Sequence, residues 1–313
     1  MKKFTKLALA ASVAFSANAM AMQAMDDASL SATTGQDGLS IGIGISKIEI
    51  EKLFIHDNDG LNGGLEDAGA IYIKGNGTGA TATHGVVIAG NQSALLDSHN
   101  LADLKIDSDA GGGNPFINIA AEVSGLDIYI GEIGVVASGE QGVGANADTI
   151  RRGGTGAENA ILTGLTLKTG QTSANIQLGS APQGAMIILD STMVGGLTIE
   201  NLGIVDNSTA AENNDVAGVI HLGKIQVTDA GDTDLAINAK VSVFGAGTTS
   251  DWDANAKGYV RIVSTSGAHD NYITGIKLGG TSANSIGDVE IQGLQTYYGS
   301  TPTPGAIITI AGH

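Results

Sequence analysis

The residues best suited to chemistry lie in "HDNDGLNGGLED", His56 to Asp67. Asp57, Asp59, Glu66 and Asp67 bring four carboxylates onto a glycine-rich loop, the hard-oxygen set that Ca²⁺ takes. Ile55 stands where an EF-hand loop needs its first Asp. The plain reading is therefore a solvated acidic loop, with calcium the weaker alternative. "DSDAGGGN" (Asp107 to Asn114) offers fewer ligands of the same kind. Arg151-Arg152, in "TIRRGGTGAEN", is a paired basic site able to hold a carboxylate bidentately, though a solvated loop is again the plainer reading. Gly75-Asn76-Gly77-Thr78-Gly79 has the look of a phosphate cradle, but no helix follows it and no Lys is suitably placed, so it reads as a turn.

Several chemistries are excluded. The chain has no Cys, which removes thiol catalysis and thiolate metal sites. Its six histidines (His56, His84, His99, His221, His269, His313) are never at metal-ligand spacing. H-E-x-x-H, G-x-S-x-G and P-loop patterns do not occur. The expectation is a non-enzymatic chain with no cofactor.

The elements that would carry these residues are strands. Ile71-Tyr72-Ile73, Phe116 to Ile119, Leu126 to Ile130, Leu197-Thr198-Ile199, Val219 to Leu222, Tyr259 to Val263 and Ile307 to Ile310 alternate with a period of two, each flanked by Gly, Asn, Asp or Ser. Gly makes up 47 residues, about twice the usual share, and that density makes sense where tight turns recur. The fold class is all-β. A β-solenoid or β-helix-like stack of short Gly-bounded strands fits best, and tandem β-sandwich modules are the alternative.

Three stretches recur at offsets near 115 residues. Gly69 to Ile73 returns as Gly184 to Ile188 and as Gly305 to Ile308. Lys105 to Val123 resembles Lys224 to Val241, and Leu162 to Asn175 resembles Ile273 to Asn284. Residues 37–313 are accordingly read as a Gly-rich β region with degenerate repeats, roughly 69–183 and 184–304.

Residues 1–21 read as a Sec signal peptide: Lys2, Lys3 and Lys6, an apolar run from Leu7 to Ala17, and small-residue sites that place cleavage after Ala19 or Ala21. No later segment has the apolar length of a membrane helix, so direct membrane insertion is not expected. The formal charge is −17, and loss of the three leader Lys gives −20 (−17 − 3) for the mature chain. That charge disfavours nucleic acid as a partner.

Residues 22–36 form a short acidic preface compatible with a helix, too short to be stable alone. The stretch "MQAMDDASLSATTGQDGLSIGIGIS" resembles the N-terminal signature of the FilA-type pilus-system family of exported Gram-negative proteins. The matching residues are Met22, Gln23, Met25, Asp26, Asp27, Leu30, Ser31, Gly35, Gln36, Gly38 and Ile41; Ala28-Ser29 departs from the pattern, which often has an acid there. The resemblance covers about 25 residues. It implies a surface or pilus-associated structural protein, lodged at the cell surface, in a pilus or in the periplasm. Its partners would be envelope or pilus assembly proteins, with self-association.

The expected function is a structural subunit or adhesin assembling through β-edge contacts. Met22, Gln23, Met25, Leu30, Gly35, Gln36 and Gly38 would close or connect an edge. The alternative is a carbohydrate-binding or carbohydrate-active β-helix. It would need an exposed carboxylate cluster or an aromatic ladder, for which Trp252 and Tyr297-Tyr298 are the main resources.

Overall fold

The computed structural model describes residues 38–58, 60, 68–208, 217–247 and 258–311. Among them the fold is all-β, twenty-two strands with short 3₁₀ turns. The preface at 22–36 lies outside the described residues.

The chain crosses the molecule eight times, reversing after each crossing. The first pass is β1 (Leu39–Ile43), β2 (Lys47–Ile50) and β3 (Lys52–His56). The second returns as β4 (Gly69–Lys74), β5 (Val86–Gly90) and β6 (Ala102–Asp109). The third is β7 (Phe116–Val123), β8 (Leu126–Ile130) and β9 (Glu132–Ser138), and the fourth β10 (Gly154–Leu162), β11 (Leu165–Lys168) and β12 (Thr172–Gly179). Later passes use longer strands: β13 (Ile187–Met193) with β14 (Leu197–Asp206), β15 (Gly218–Asp229) with β16 (Leu235–Phe244), and β17 (Tyr259–Ser264) with β18 (His269–Leu278). The eighth is β19 (Ser285–Leu294), a small hairpin of β20 (Tyr297–Tyr298) and β21 (Thr303–Pro304), and β22 (Ala306–Ala311).

Strands of successive passes stack in columns. The first column is the sheet β1-β6-β7-β12-β13-β16-β17-β22. The second, β2-β5-β8-β11, and the third, β3-β4-β9-β10, stand side by side and merge at β14, which pairs with β11 through its first half and with β10 near its end. From there β14, β15, β18 and β19 each span both columns. Every pairing is antiparallel, so the chain runs back and forth rather than winding in one sense. The sheets continue across residue 184, because β12 pairs with β13. The recurring sequence stretches fall in different columns: Gly69 to Ile73 is in β4 of the third, whereas Ile307-Ile308 is in β22 of the first.

The corners explain much of the glycine. Gly85 N–H donates to Glu51 O at 2.9 Å, and Gly131 N–H to Gly85 O at 2.8 Å, so successive corners are themselves hydrogen-bonded. A Cβ at Gly131 would lie 2.1 Å from Lys74 O, which leaves room only for glycine. After the merger the same corner persists as kinks inside long strands, at Asn201 (φ 59°) and Gly275 (φ 67°).

Cross-strand rows give the stack its register. In the first column one row is Leu39, Ile106, Ile119, Ile176, Ile187, Val241, Ile262 and Ile308, aliphatic in all eight strands. In the second it is Ile48, Ile88, Ile128, Leu167, Ile199, Ile225, Ile273 and Val289. A one-residue slip would put polar neighbours into these rows, so register is strongly specified. Apolar side chains placed side by side on these rows shield one another from water, which favours the register. Few described side chains are fully buried. The tightest cluster is Ala70, Tyr72 and Val136 in the third column, with Phe54 against it.

Candidate functional site

Both ends of the described stack are open edges. Each first-pass strand has a partner on one side only: β6 for β1, β5 for β2 and β4 for β3. At the far end β19 pairs only with β18, and β22 only with β17. A row of outward backbone N–H and C=O groups is left at each end among the described residues, the situation that templates strand addition. β19 is exposed along its whole length. Ile286 (65%), Ile308 (55%) and Ile310 (58%) are large apolar side chains left open on the last pass, with Val289, Ile291, Leu294 and Ile307 beside them. Neither β19 nor β22 carries the Lys or Pro that commonly blunts an edge.

Specific contacts hold these edges in place. The Asp270 carboxylate accepts from Gly231 N–H at 2.9 Å and from Gly293 N–H at 2.7 Å, tying a corner to β19. Those two backbone donors keep its carboxyl below the usual range. Asp288 accepts from Gly275 N–H at 2.8 Å, and Gln292 donates to Glu290 at 2.6 Å. On the first pass Lys47 lies 2.6 Å from Glu49, whose carboxyl is held down chiefly by that hydrogen bond. Gly38, directly before β1, has φ 80°, and a Cβ there would sit 1.7 Å from Asp107 Oδ1. Entry into the first strand therefore requires glycine at this position.

A charged cluster lies on the third column. Tyr72 donates to Glu132 at 2.8 Å, and Lys74 bridges Glu132 at 3.1 Å and Glu158, which stitches β4, β9 and β10 together. Burial, then the bond to Glu132, pushes the Tyr72 phenol up; the bond to Glu158 leads in raising Lys74. Both groups stay protonated at neutral pH, so neither is poised as a base. Tyr72 lies across Gly134, its register partner, where a Cβ would come 2.3 Å from the phenol oxygen. Beside this cluster a cleft of about 610 Å³ is lined by Glu49, Glu51, Lys52, Phe54, His56 and Arg151 among others.

The paired arginines part company there. Arg152 donates to Gly139 O at 3.1 Å, Asn58 at 2.8 Å and Ser138 at 2.9 Å, and Ser138 also meets His56 Nδ1 at 2.7 Å. Burial first, and the neighbouring Arg152 second, lowers the His56 pKa. The Arg152 guanidinium thus pins the 139–153 reversal onto the sheet, and both arginines line the cleft.

A second cleft of about 510 Å³ sits on the corner between the second and third columns. Asn76, Thr78, Thr81, Tyr129, Thr166 and His221 line it with hydroxyl, amide and imidazole groups. His221 is 6% exposed with its Nδ1 unpartnered, and burial, then Lys277, lowers its pKa. Sequence reading passed over this residue. Its one signal was polarity between Ile220 and Leu222 in an otherwise apolar run, which places it on the opposite face of β15. The Gly75 to Gly79 run is a corner, as its turn reading requires: Asn76 Oδ1 accepts from Thr78 N–H at 3.1 Å and Thr81 Oγ1 at 2.9 Å.

Of the calcium candidates, Asp57 follows β3, where its N–H donates to Gly69 O at 2.9 Å. Asp59, Glu66 and Asp67 lie outside the described residues, as do Met22, Gln23, Met25, Leu30, Gly35, Gln36 and Trp252. Among the described residues no group of three or more His, Asp or Glu converges in a metal-holding arrangement. Asp107 to Asp109 ends β6, and Ala110 to Asn114 lies in the reversal before β7.

A family model described as "Family of unknown function (DUF6160)" matches residues 1–111, about a third of the chain. The match ends in the reversal after β6, so its described part corresponds to the first two passes. No curated protein and no solved structure matches the chain.

Proposed function

We propose that this chain is a non-enzymatic, exported structural subunit of the bacterial surface, a fibre component or adhesin that associates through its sheet edges. The observation that carries the reading is the pair of open edges at the two ends of an antiparallel stack, with β19 and β22 of the last pass lacking the Lys and Pro that commonly blunt an edge. Strand addition onto such an edge supplies backbone hydrogen bonds for affinity and alternate side chains for specificity. The columns of short Gly-bounded strands make an open-ended stack in which successive passes alternate in direction rather than coil. The leader at 1–21 and the FilA-type signature at 22–41 support export and a pilus or envelope setting. Envelope assembly proteins and further copies of the chain are the partners this implies.

Immunogold labelling of intact cells, viewed by negative stain, tests the proposal. Gold along filaments or over the outer surface is the expected result. Labelling confined to permeabilised cells would place the chain in the periplasm and refute it. The competing reading is a carbohydrate binder, favoured by the hydroxyl- and amide-lined cleft around Asn76 and His221. Saturable binding of soluble surface glycan, abolished by His221→Ala, would move the assignment there.

A further inference from the structure

We infer that the partner for the open ends is a second copy of the same chain, stacked head to tail so that its first pass continues the last pass of its neighbour in register. The inference rests on the edge-assembly reading and specifies its occupant. Strand direction comes first. There are eight passes, an even number, so the eighth runs opposite to the first. A copy translated along the stack therefore meets its neighbour antiparallel, like every other pairing in the molecule. Two of the three columns agree, because β22 and β1 both belong to the first and β19 and β2 share the second; β19 begins at Ser285, opposite Lys52 in the register below, so β3 keeps an open edge.

Register agrees as well. Continuing the first-column row sets Ile308 opposite the next copy's Leu39, and continuing the second-column row sets Val289 opposite its Ile48. Both can hold at once only if the corner between the columns accommodates the difference in chain length. The last-pass corner is residues 295–305, and the first-pass corner is 44–46. The second pass already lays a corner of the same length as the last, residues 91–101, against 44–46. A fit of that kind is therefore present once in the fold. The exposed side chains of the last pass are members of these rows and their neighbours, although strands within the stack also expose apolar groups, Val243 and Leu178 among them. In this register Glu290 meets Lys47, while Asp288, turned back onto Gly275 N–H, comes opposite Glu49. The apolar rows and backbone carry the contact, and charge gives little net help.

The head-to-tail operator does not close, so it generates a filament. Strands lie across its axis, and each copy adds eight inter-strand steps, about 38 Å of axial rise.

The absence of Cys makes the test clean. The full chain, exported under its own leader, is prepared with Val289→Cys and Ile48→Cys together, and separately with Ile308→Cys and Leu39→Cys. Within one copy each pair is seven strand spacings apart, about 33 Å, far beyond disulfide reach. Across the inferred contact the Cα atoms are about 4.5–5.5 Å apart, within reach. Mild oxidation is expected to give a ladder of covalent multimers for both pairs and none for Val289→Cys with Glu49→Cys, one residue out of register. Filaments with a rise of about 38 Å should form, and Val289→Lys with Ile308→Lys should abolish them while leaving the β circular-dichroism signal. Filaments that do not cross-link in register would overturn the inference and leave the surface-subunit reading standing. So would a monomer whose 47–50 amides resist exchange until residues 22–36 are removed, since the preface would then be the occupant. Labelling of permeabilised cells alone would sink the reading itself.

Discussion

Gly134→Ala sets two opposing effects against each other, and the structure decides the sign. Replacing Gly by Ala at a compatible backbone stabilises by about 0.4–1 kcal/mol, through the unfolded chain. Gly134 has no left-handed φ, so that gain is available in principle. The added Cβ, however, would lie 2.3 Å from the Tyr72 phenol oxygen, 2.4 Å from its Cζ and 2.5 Å from Asn159 O. Ordinary contacts begin near 3.4 Å, so each of the three overlaps by about 1 Å. Tyr72 is 1% exposed and hydrogen-bonded to Glu132, and Asn159 O is backbone of the adjoining strand β10, so neither neighbour yields cheaply. Overpacking of this kind costs about 1–3 kcal/mol. The net expectation is a loss of about 1–2 kcal/mol, or a melting temperature lower by roughly 2–8 °C. Gly218→Ala is the matched control, because Gly218 also lies in a strand, lacks a left-handed φ and has no atom within 4 Å of the new Cβ. It should melt slightly above the parent. Thermal melts followed at a β-sheet wavelength compare the three proteins. A Gly134→Ala variant that melts no lower than Gly218→Ala would refute the packing account of Tyr72.

His221 is held neutral in the fold by burial, so the unfolded chain binds more protons near pH 6 and stability falls as pH drops through about 6.5. The urea midpoint should therefore fall between pH 7.5 and 5.5, and His221→Asn should flatten that slope; an unchanged slope would remove His221 as its source. Asp270→Ala removes the acceptor shared by Gly231 and Gly293, and should speed amide exchange in β19 while leaving β7 and β12 as they were. Arg152→Ala frees Asn58, Ser138 and Gly139 O, and limited proteolysis should then cut within 139–153 sooner than in the parent.

Strands were legible because each alternating run has its own turn residues. All seven runs marked in the sequence fall inside strands, and Leu126 to Ile130 coincides with β8. Their assembly was not legible, since pairing depends on partners far away in the chain. Nothing local in Ile71 says that β9, and not its sequence neighbour β5, lies beside it. The serpentine course also disguised the repeats. One strand–glycine–strand grammar serves corners and reversals alike, so Lys105 to Val123 runs around a reversal whereas Lys224 to Val241 crosses a corner. At the sites, Arg151-Arg152 stood out by composition, but only folding supplies Ser138 and Asn58 as partners for one of the two. His221 carried almost no signal, because the groups that share its cleft, Asn76, Tyr129 and Thr166 among them, come from distant parts of the chain.

Charge sets the conditions under which such stacks would form. The chain carries −17, or −20 if residues 1–21 with Lys2, Lys3 and Lys6 are removed (−17 − 3), so like-charged copies must be brought together. The screening length is about 10 Å at 0.1 M salt and about 30 Å at 0.01 M. With a rise of about 38 Å per copy, neighbouring charge distributions are well screened at 0.1 M and strongly felt at 0.01 M. Only the edge groups remain in contact at the higher salt, and Lys47 with Glu290 there roughly offsets Glu49 with Asp288. Assembly should therefore strengthen from 0.01 to 0.1 M salt and change little above it. A contact driven by ion pairs across the edge would do the reverse, weakening steadily as salt rises. Sedimentation across that salt series, run beside the in-register cysteine pairs, separates apolar strand addition from electrostatic docking.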